Sequence, residues 1–174
     1  MAEFNFVDYF KNIAEKLKEI KHTTARPAFG RVSSVSQMEE FLMNQYKTAE
    51  TVLLVQDDFT GRFDNSVNLE NLLDNRFCVF FILKKVKPND YDDRQAKVKA
   101  CKAILHKIFS KLLKDKKEDY NGTNTNGLAD LDIGSPVYDT IGPIGDGFQG
   151  ISVNFTLKET LIDKLVYNSD DWES

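Results

Sequence analysis

The feature that most constrains the fold of this sequence is an uninterrupted apolar run from Phe77 to Leu83. Its residues do not alternate with polar ones, so a strand built from them must be covered on both faces. Lysines and the sequence Pro-Asn-Asp at 88–90 follow the run and end it. We therefore predict a central strand over 76–86, in a sheet that is covered on both sides.

A long amphipathic helix is predicted next, capped by Asp92 or Asp93 and extending to about Lys116. Its apolar stripe has the spacing of one helical face and consists of Val98, Cys101, Ile104, Leu105, Ile108, Phe109 and Leu112. A second face, the lysine face, consists of Lys97, Lys99, Lys102, Lys107, Lys111 and Lys114. Such a helix is a natural cover for one side of the sheet.

Two helices are predicted before the central strand. Apolar residues over 6–20 recur at spacings of three and four, which indicates an amphipathic helix of about four turns. A polar stretch with Pro27 and Gly30 follows it. Ser36 and Glu39 then stand at the spacing of a capping box, which predicts a second, shorter helix.

The remaining segments are predicted as short strands and loops. β-branched or alternating apolar residues predict three further strands, at 51–56, 137–144 and 148–157. Polar and turn-forming residues predict a loop over 57–68 and a mobile loop over about 118–134. A short helix near 161–166 and an acidic tail at 168–174 end the sequence.

These elements predict a single α+β domain over 1–174, with a mainly antiparallel four-stranded sheet. The long amphipathic helix covers this sheet, and one or two extra helices precede it. Thirteen Phe and six Tyr supply a core that needs no disulfide. Cys78 and Cys101 lie in apolar runs, which favours free buried thiols in a reducing compartment. With neither a secretory signal nor an apolar run long enough to span a bilayer, the chain is expected in the cytoplasm.

Charge is distributed unevenly along the chain. The net charge is −4, yet residues 84–117 contain twelve basic and four acidic residues, a balance of +8. The remainder contains eleven basic and twenty-three acidic residues, a balance of −12. Such polarity can serve self-association as well as binding to another macromolecule.

An acidic cluster is the one candidate for metal chemistry. Asp57, Asp58 and Asp64 follow a strand, with Arg62 between them, and hard cations prefer oxygen ligands. The cluster lacks the ligand spacing of an EF-hand loop. A solvated acidic loop is therefore the favoured interpretation, and a small aspartate-dependent metal enzyme is the third-ranked hypothesis.

Residues for nucleophilic or phosphate chemistry do not form a recognisable motif. His22 and His106 stand outside any known nucleophile pattern. Turn geometry explains the glycine-rich stretch at 142–150, because it opens a strand and not a helix. We therefore predict no catalytic residue, no cofactor and no enzymatic activity.

The lysine face has three interpretations. It can be a solvated helix surface, which we favour over a surface that follows a phosphate backbone. Aromatic residues that would stack on bases are missing from it, and the protein as a whole is acidic. The lysines can also meet the acidic part of a neighbouring copy, and such head-to-tail contacts can close into rings.

The order of elements and two segments resemble a known class of proteins. The first segment is Gln-Asp-Asp-Phe-Thr-Gly-Arg-Phe at 56–63, and the second is Phe-Gln-Gly-Ile-Ser-Val-Asn-Phe at 148–155. With the apolar strand and lysine-rich helix between them, the chain is similar to tail-terminator and tail-completion (neck) proteins of tailed bacteriophages.

This resemblance implies a sheet flanked by helices and a ring, commonly a hexamer, at the end of a tail tube. The partners would be other copies of the chain, the tail tube and the neck or head, with no membrane involved. The protein would assemble in the host cytoplasm and then belong to the virion tail. The lysine face, Asp57, Asp58 and Arg62 would contact the ring lumen or the adjacent subunit.

Overall fold

The computed structural model describes residues 4–56, 60–64, 73–123, 127–145 and 147–160, without the side chains of 159 and 160. These residues form three helices, α1 Phe6–Lys16, α2 Val35–Asn44 and α3 Tyr91–Tyr120. They also form six strands, β1 Phe29–Val32, β2 Thr51–Gln56, β3 Thr60–Asp64, β4 Leu73–Lys85, β5 Val137–Ile144 and β6 Phe148–Thr160.

The six strands form one mixed sheet in the order β1-β2-β4-β6-β5, and β3 pairs with the other half of β4. β1 lies parallel to β2, and the other neighbours are antiparallel. The predicted α+β class is confirmed, and the predicted four-stranded, mainly antiparallel sheet is wrong. β4 does lie centrally, as predicted, because β2 and β3 flank it on one side and β6 on the other.

Both strands missing from the prediction carry a weak hydrophobic signal. β1 has only four residues, and Gly30 and Arg31 interrupt its apolar pattern. It is held by its parallel pairing with β2 and by Tyr46 Oη, which donates a 2.8 Å hydrogen bond to the carbonyl of Phe29. β3 lies where a loop over 57–68 was predicted, and four of its five residues are exposed. Exposed edge strands need no apolar pattern, so periodicity does not reveal them.

Helices α1 and α3 cover one face of the sheet, and α2 covers part of the other face. Cys78, Phe80 and Ile82 of β4 belong to a large core that includes buried residues of α1 and α3. Phe81 and Leu83 of the same strand belong to a smaller core on the other face, beneath α2. Successive residues of β4 therefore point into two different cores, which explains why polar residues do not alternate with its apolar ones.

The helix ends differ from the predicted positions for local reasons. α1 ends at Lys16 because Leu17 is extended, and Ile20 is buried although it lies beyond the helix. The cap of α2 is Ser34, two residues before the predicted Ser36, and it accepts the hydrogen bond from the Gln37 N–H at 3.1 Å.

α3 is longer than predicted at both ends. Asp90, and not Asp92 or Asp93, is its cap and accepts from the Asp93 N–H at 2.8 Å. The helix continues to Tyr120.

The segment predicted as a mobile loop over about 118–134 is partly packed against the core. Residues 118–120 belong to α3. Leu128 and Leu131 are buried, and Leu131 forms a β-bridge with Leu157 of β6. The predicted terminal helix near 161–166 and the acidic tail at 168–174 lie outside the described residues.

His22 connects the end of α1 to the start of β1, and its titration should affect stability. Its Nδ1 accepts the Ala28 N–H at 3.1 Å, and burial lowers the pKa of the imidazole, although Glu15 opposes this shift. The unfolded chain therefore binds the proton more readily, so stability should fall as pH drops below about 6.5 toward the folded pKa. Urea unfolding at pH 7.5 and 5.5 should show a smaller loss for His22→Asn, which does not titrate. An equal loss in both proteins would contradict this assignment.

Candidate functional site

The lysine face of α3 is largely engaged in contacts within the chain. Four of its lysines lie in ion pairs: Lys97 with Asp93 at 3.9 Å, Lys107 with Glu19, Lys111 with Asp115 at 2.5 Å, and Lys114 with Glu118 at 3.4 Å. Lys102 lies over the ring of Tyr138, 5.0 Å from its centroid, and Lys99 is exposed. Internal carboxylates thus offset much of the positive charge that a phosphate backbone would require.

A cluster of Tyr9 and Lys111 around the buried carboxylate of Asp115 joins α1 to α3. Asp115 is only 1% exposed, and Tyr9 Oη donates a 2.6 Å hydrogen bond to its Oδ2. Lys111 Nζ lies 2.5 Å from both carboxylate oxygens. Burial, followed by the hydrogen bond to Asp115, raises the pKa of Tyr9 far above its ordinary value. The phenol therefore stays protonated and remains a donor at neutral pH.

The sequence contains one signal for this cluster that the prediction missed. Ile108, Leu112 and Asp115 follow one another at spacings of four and three, so Asp115 continues the apolar stripe of the helix. An ionised carboxylate at such a position requires a partner, because an unpaired buried charge is costly. The partner Tyr9 lies 106 residues away in the sequence, so spacing alone could not identify it.

A groove of about 240 Å³ lies beside this cluster, between α1 and α3. We call it the α1–α3 groove. Ile13, Leu17 and Ile108 line it with apolar atoms, and Lys16, Lys107 and Lys111 line it with ammonium groups. It therefore combines apolar and cationic surface.

The aspartates proposed as metal ligands are only partly described. Asp57 and Asp58 lie outside the described residues. Asp64 lies in β3 and not in a loop, with Arg62 Nη2 at 3.7 Å and Asn75 Nδ2 at 3.4 Å. Among the residues that the structure describes, no three His, Cys, Asp or Glu side chains are grouped to hold a metal ion.

The two cysteines are poor nucleophiles. Cys78 and Cys101 are both buried and free of disulfides, as predicted. Burial raises the pKa of each thiol to about 12. Both thiols are therefore protonated at neutral pH, whereas nucleophilic attack requires the thiolate.

One part of the sheet surface is left open. α2 packs over β1 and β2, and the same side of β4, β6 and β5 carries exposed or half-buried side chains. We define the open sheet face by these residues, Phe77, Val79, Val137, Asp139, Ser152, Asn154 and Thr156. Phe77 is 41% and Val137 58% exposed, although both are large apolar residues.

β5 borders the open sheet face as an edge strand. Among the described strands it pairs with β6 alone, so its other side presents backbone groups outward. Pro143 lacks an N–H, and the register between β5 and β6 shifts between Ile141 and Ile144. The part of β5 with regular strand geometry, which another strand could pair with, is therefore residues 137–141. An edge strand of this kind is a site at which another chain can add.

Comparisons of the chain with protein-family models, with curated proteins and with solved structures find no match. None of the helices in the described ranges combines the length and the apolar character needed to span a membrane. What can be inferred about function therefore depends on the open sheet face, the lysine face and the α1–α3 groove.

Proposed function

We propose that this chain is a non-enzymatic assembly protein of a phage-like tail, which forms a ring that ends the tail tube and joins it to the head or neck. The observation that carries the proposal is the open sheet face bordered by the edge of β5. Exposed apolar residues on a contiguous surface mark sites of protein association. An edge strand beside them supplies backbone hydrogen bonds to a neighbouring copy.

The two ends of the sheet favour a ring over a symmetric dimer. β5 forms one end and the parallel strand β1 forms the other, so the two edges present different surfaces. A contact between two different surfaces is repeated head to tail and closes into a ring when the rotation allows. The fold agrees with the resemblance to tail terminators, which implies a sheet flanked by helices.

Charge on the two helical layers supports the same arrangement. α2 contains Glu39 and Glu40, both exposed, and no basic residue. α3, on the opposite side of the sheet, keeps Lys99 and Lys102 exposed. Opposite charges on opposite sides of one chain align neighbouring copies and disfavour like-to-like contacts. The ion pairs of the lysine face count against the alternative, a nucleic-acid-binding domain.

Light scattering after size exclusion tests the association. The wild-type chain should elute with a mass several times 19.9 kDa, and Val137→Lys should shift it toward one chain. A lysine at this position places a charge in the contact and blunts the edge of β5. Tyr120→Lys is the matched control, since Tyr120 is 80% exposed at the end of α3 and belongs neither to the open sheet face nor to β1 or β5. A wild-type mass of a single chain at millimolar concentration would contradict the ring.

Electron microscopy tests the placement in a tail. Purified protein mixed with tail tubes of the source phage or tail-like machine should form caps on tube ends, and Val137→Lys should form fewer. If rings form but do not bind tube ends, the oligomer is supported and the assignment to a tail is contradicted. A tail-tube or portal gene next to the gene of this chain would support the assignment independently.

A further inference from the structure

The side of α3 that borders β5 carries exposed apolar and positively charged side chains. Lys99, Lys102 and Leu113 are separated by three and eleven residues, close to whole turns of a helix, so they lie on the same side. Lys102 lies over the ring of Tyr138 in β5, which shows that this side faces the edge strand. Leu113 is 48% and Tyr138 44% exposed, although both are large. We define the α3 flank by these four residues.

The two lysines of the α3 flank are not neutralised by carboxylates of the same chain. The ion pairs of the lysine face involve its other four members. Lys99 and Lys102 are both exposed, and neither pairs with a carboxylate in the part of the chain that the structure describes. A partner of this surface must therefore bring negative charge together with apolar contact.

The outer side of α2 has the complementary composition. Val35, Glu39 and Met43 follow one another at intervals of four residues, which places them along one ridge of the helix. Val35 is 62% and Met43 53% exposed, and Glu39 and Glu40 are exposed as well. No ion pair joins either glutamate to another described residue, and α2 contains no basic residue. We call Val35, Glu39, Glu40 and Met43 the α2 ridge.

The α2 ridge and the α3 flank cannot meet within one chain, because the sheet lies between α2 and α3. We propose that the α2 ridge of one copy packs on the α3 flank of the next copy. The two glutamates then lie beside the two lysines, and the apolar side chains of both surfaces contact each other. This inference rests on the proposed ring, and it names the two surfaces that are joined head to tail.

The dimensions of the two surfaces favour a second copy as the partner. Val35 and Met43 lie about 12 Å apart along the axis of α2, and Lys99 and Leu113 lie about 21 Å apart along α3. The α3 flank is therefore long enough to hold the whole ridge. Tyr138 belongs to β5, so the flank is continuous with the edge strand of the proposed ring contact. A phosphate backbone would gain little from the exposed Leu113.

Charge reversal at low salt tests the contact. Glu39→Lys with Glu40→Lys makes a ridge variant, and Lys99→Glu with Lys102→Glu makes a flank variant. Each should lower the mass measured by light scattering at least about two-fold, because like charges then face each other. An equimolar mixture of the two variants should recover the wild-type mass. In the mixture every basic ridge can meet an acidic flank, and every acidic ridge can meet a basic flank.

The matched control is Lys11→Glu with Lys18→Glu, which changes the net charge as much as the flank variant does. Both lysines are exposed and belong to neither surface, so the wild-type mass should be kept. Circular dichroism should show an unchanged fold, since every substituted side chain is exposed. If the ridge variant does not fold, Glu39→Gln with Glu40→Gln tests the same contact and should also lower the mass.

Three results would overturn this contact and leave the ring standing. The first is a wild-type mass in both reversed variants, and the second is a mixture that does not recover it. The third is an equal loss of mass in the control, which would show that net charge sets the association. A wild-type mass of one chain would instead reject the ring itself, and this contact with it.

Discussion

Gly150→Ala should unfold the protein or destabilise it by at least about 3 kcal/mol, as expected for severe overpacking of a core. Gly150 pairs with Leu83 in the centre of the sheet. A Cβ at this position would lie 1.9 Å from the carbonyl oxygen of Ile82 and 2.9 Å from the Cα of Leu83. These atoms belong to backbone, so β4 and β6 must separate to make room. Urea unfolding followed by far-ultraviolet circular dichroism would measure the loss.

Gly134→Ala is the matched control for this substitution. Its nearest contact would be Asp132 Oδ1 at 3.4 Å, an ordinary van der Waals distance at an exposed turn. We expect its free energy of unfolding to stay within about 0.5 kcal/mol of wild type. If Gly150→Ala unfolds at the wild-type urea concentration, the pairing of β6 with β4 is not as described.

Asp115→Ala should lower the free energy of unfolding by about 2–4 kcal/mol. It leaves the hydroxyl of Tyr9 and the half-exposed ammonium of Lys111 without their acceptor. Tyr9→Phe removes only the phenol hydrogen bond and should cost about 1–2 kcal/mol. Because Tyr9 and Lys111 share one carboxylate, the loss from the double variant Tyr9→Phe and Asp115→Ala should be smaller than the sum of the single losses.

Another ion pair of α3 provides the comparison for Asp115. Lys114 and Glu118 have the same four-residue spacing as Lys111 and Asp115, but the side chain of Glu118 is 37% exposed, whereas that of Asp115 is 1% exposed. Glu118→Ala should therefore change stability by less than about 0.5 kcal/mol. Equal losses for Asp115→Ala and Glu118→Ala would show that burial of Asp115 does not set the strength of its interactions.

The elements that could be predicted from the sequence are those with a strong periodic signal. Ile151, Val153, Phe155 and Leu157 alternate with polar residues, and all four face the large core from β6. The apolar stripe of α3 likewise lies buried or half-buried against the sheet. In these segments one face is buried and the other is exposed to solvent, so the spacing of apolar residues in the local sequence predicts the element.

The elements that could not be predicted depend on contacts between distant parts of the chain. β1 exists because β2 pairs with it and because Tyr46 fixes its backbone, and neither contact leaves a pattern in four residues. The contact between Tyr9 and Asp115 and the groove beside it require α1 and α3 to be already packed together. The lysines of α3 were identified from the sequence, whereas the carboxylates that engage them became visible only in three dimensions.

The pairing of β4 with β6 has a consequence for how the chain matures on the ribosome. Every residue of β4 from Leu73 to Lys85 pairs with β6, which is synthesised only after residue 147. Until then the nascent polypeptide presents the most apolar strand of the protein with one long side unpaired, a state prone to aggregation. Shortened versions that stop before Phe148 should therefore precipitate or require a chaperone.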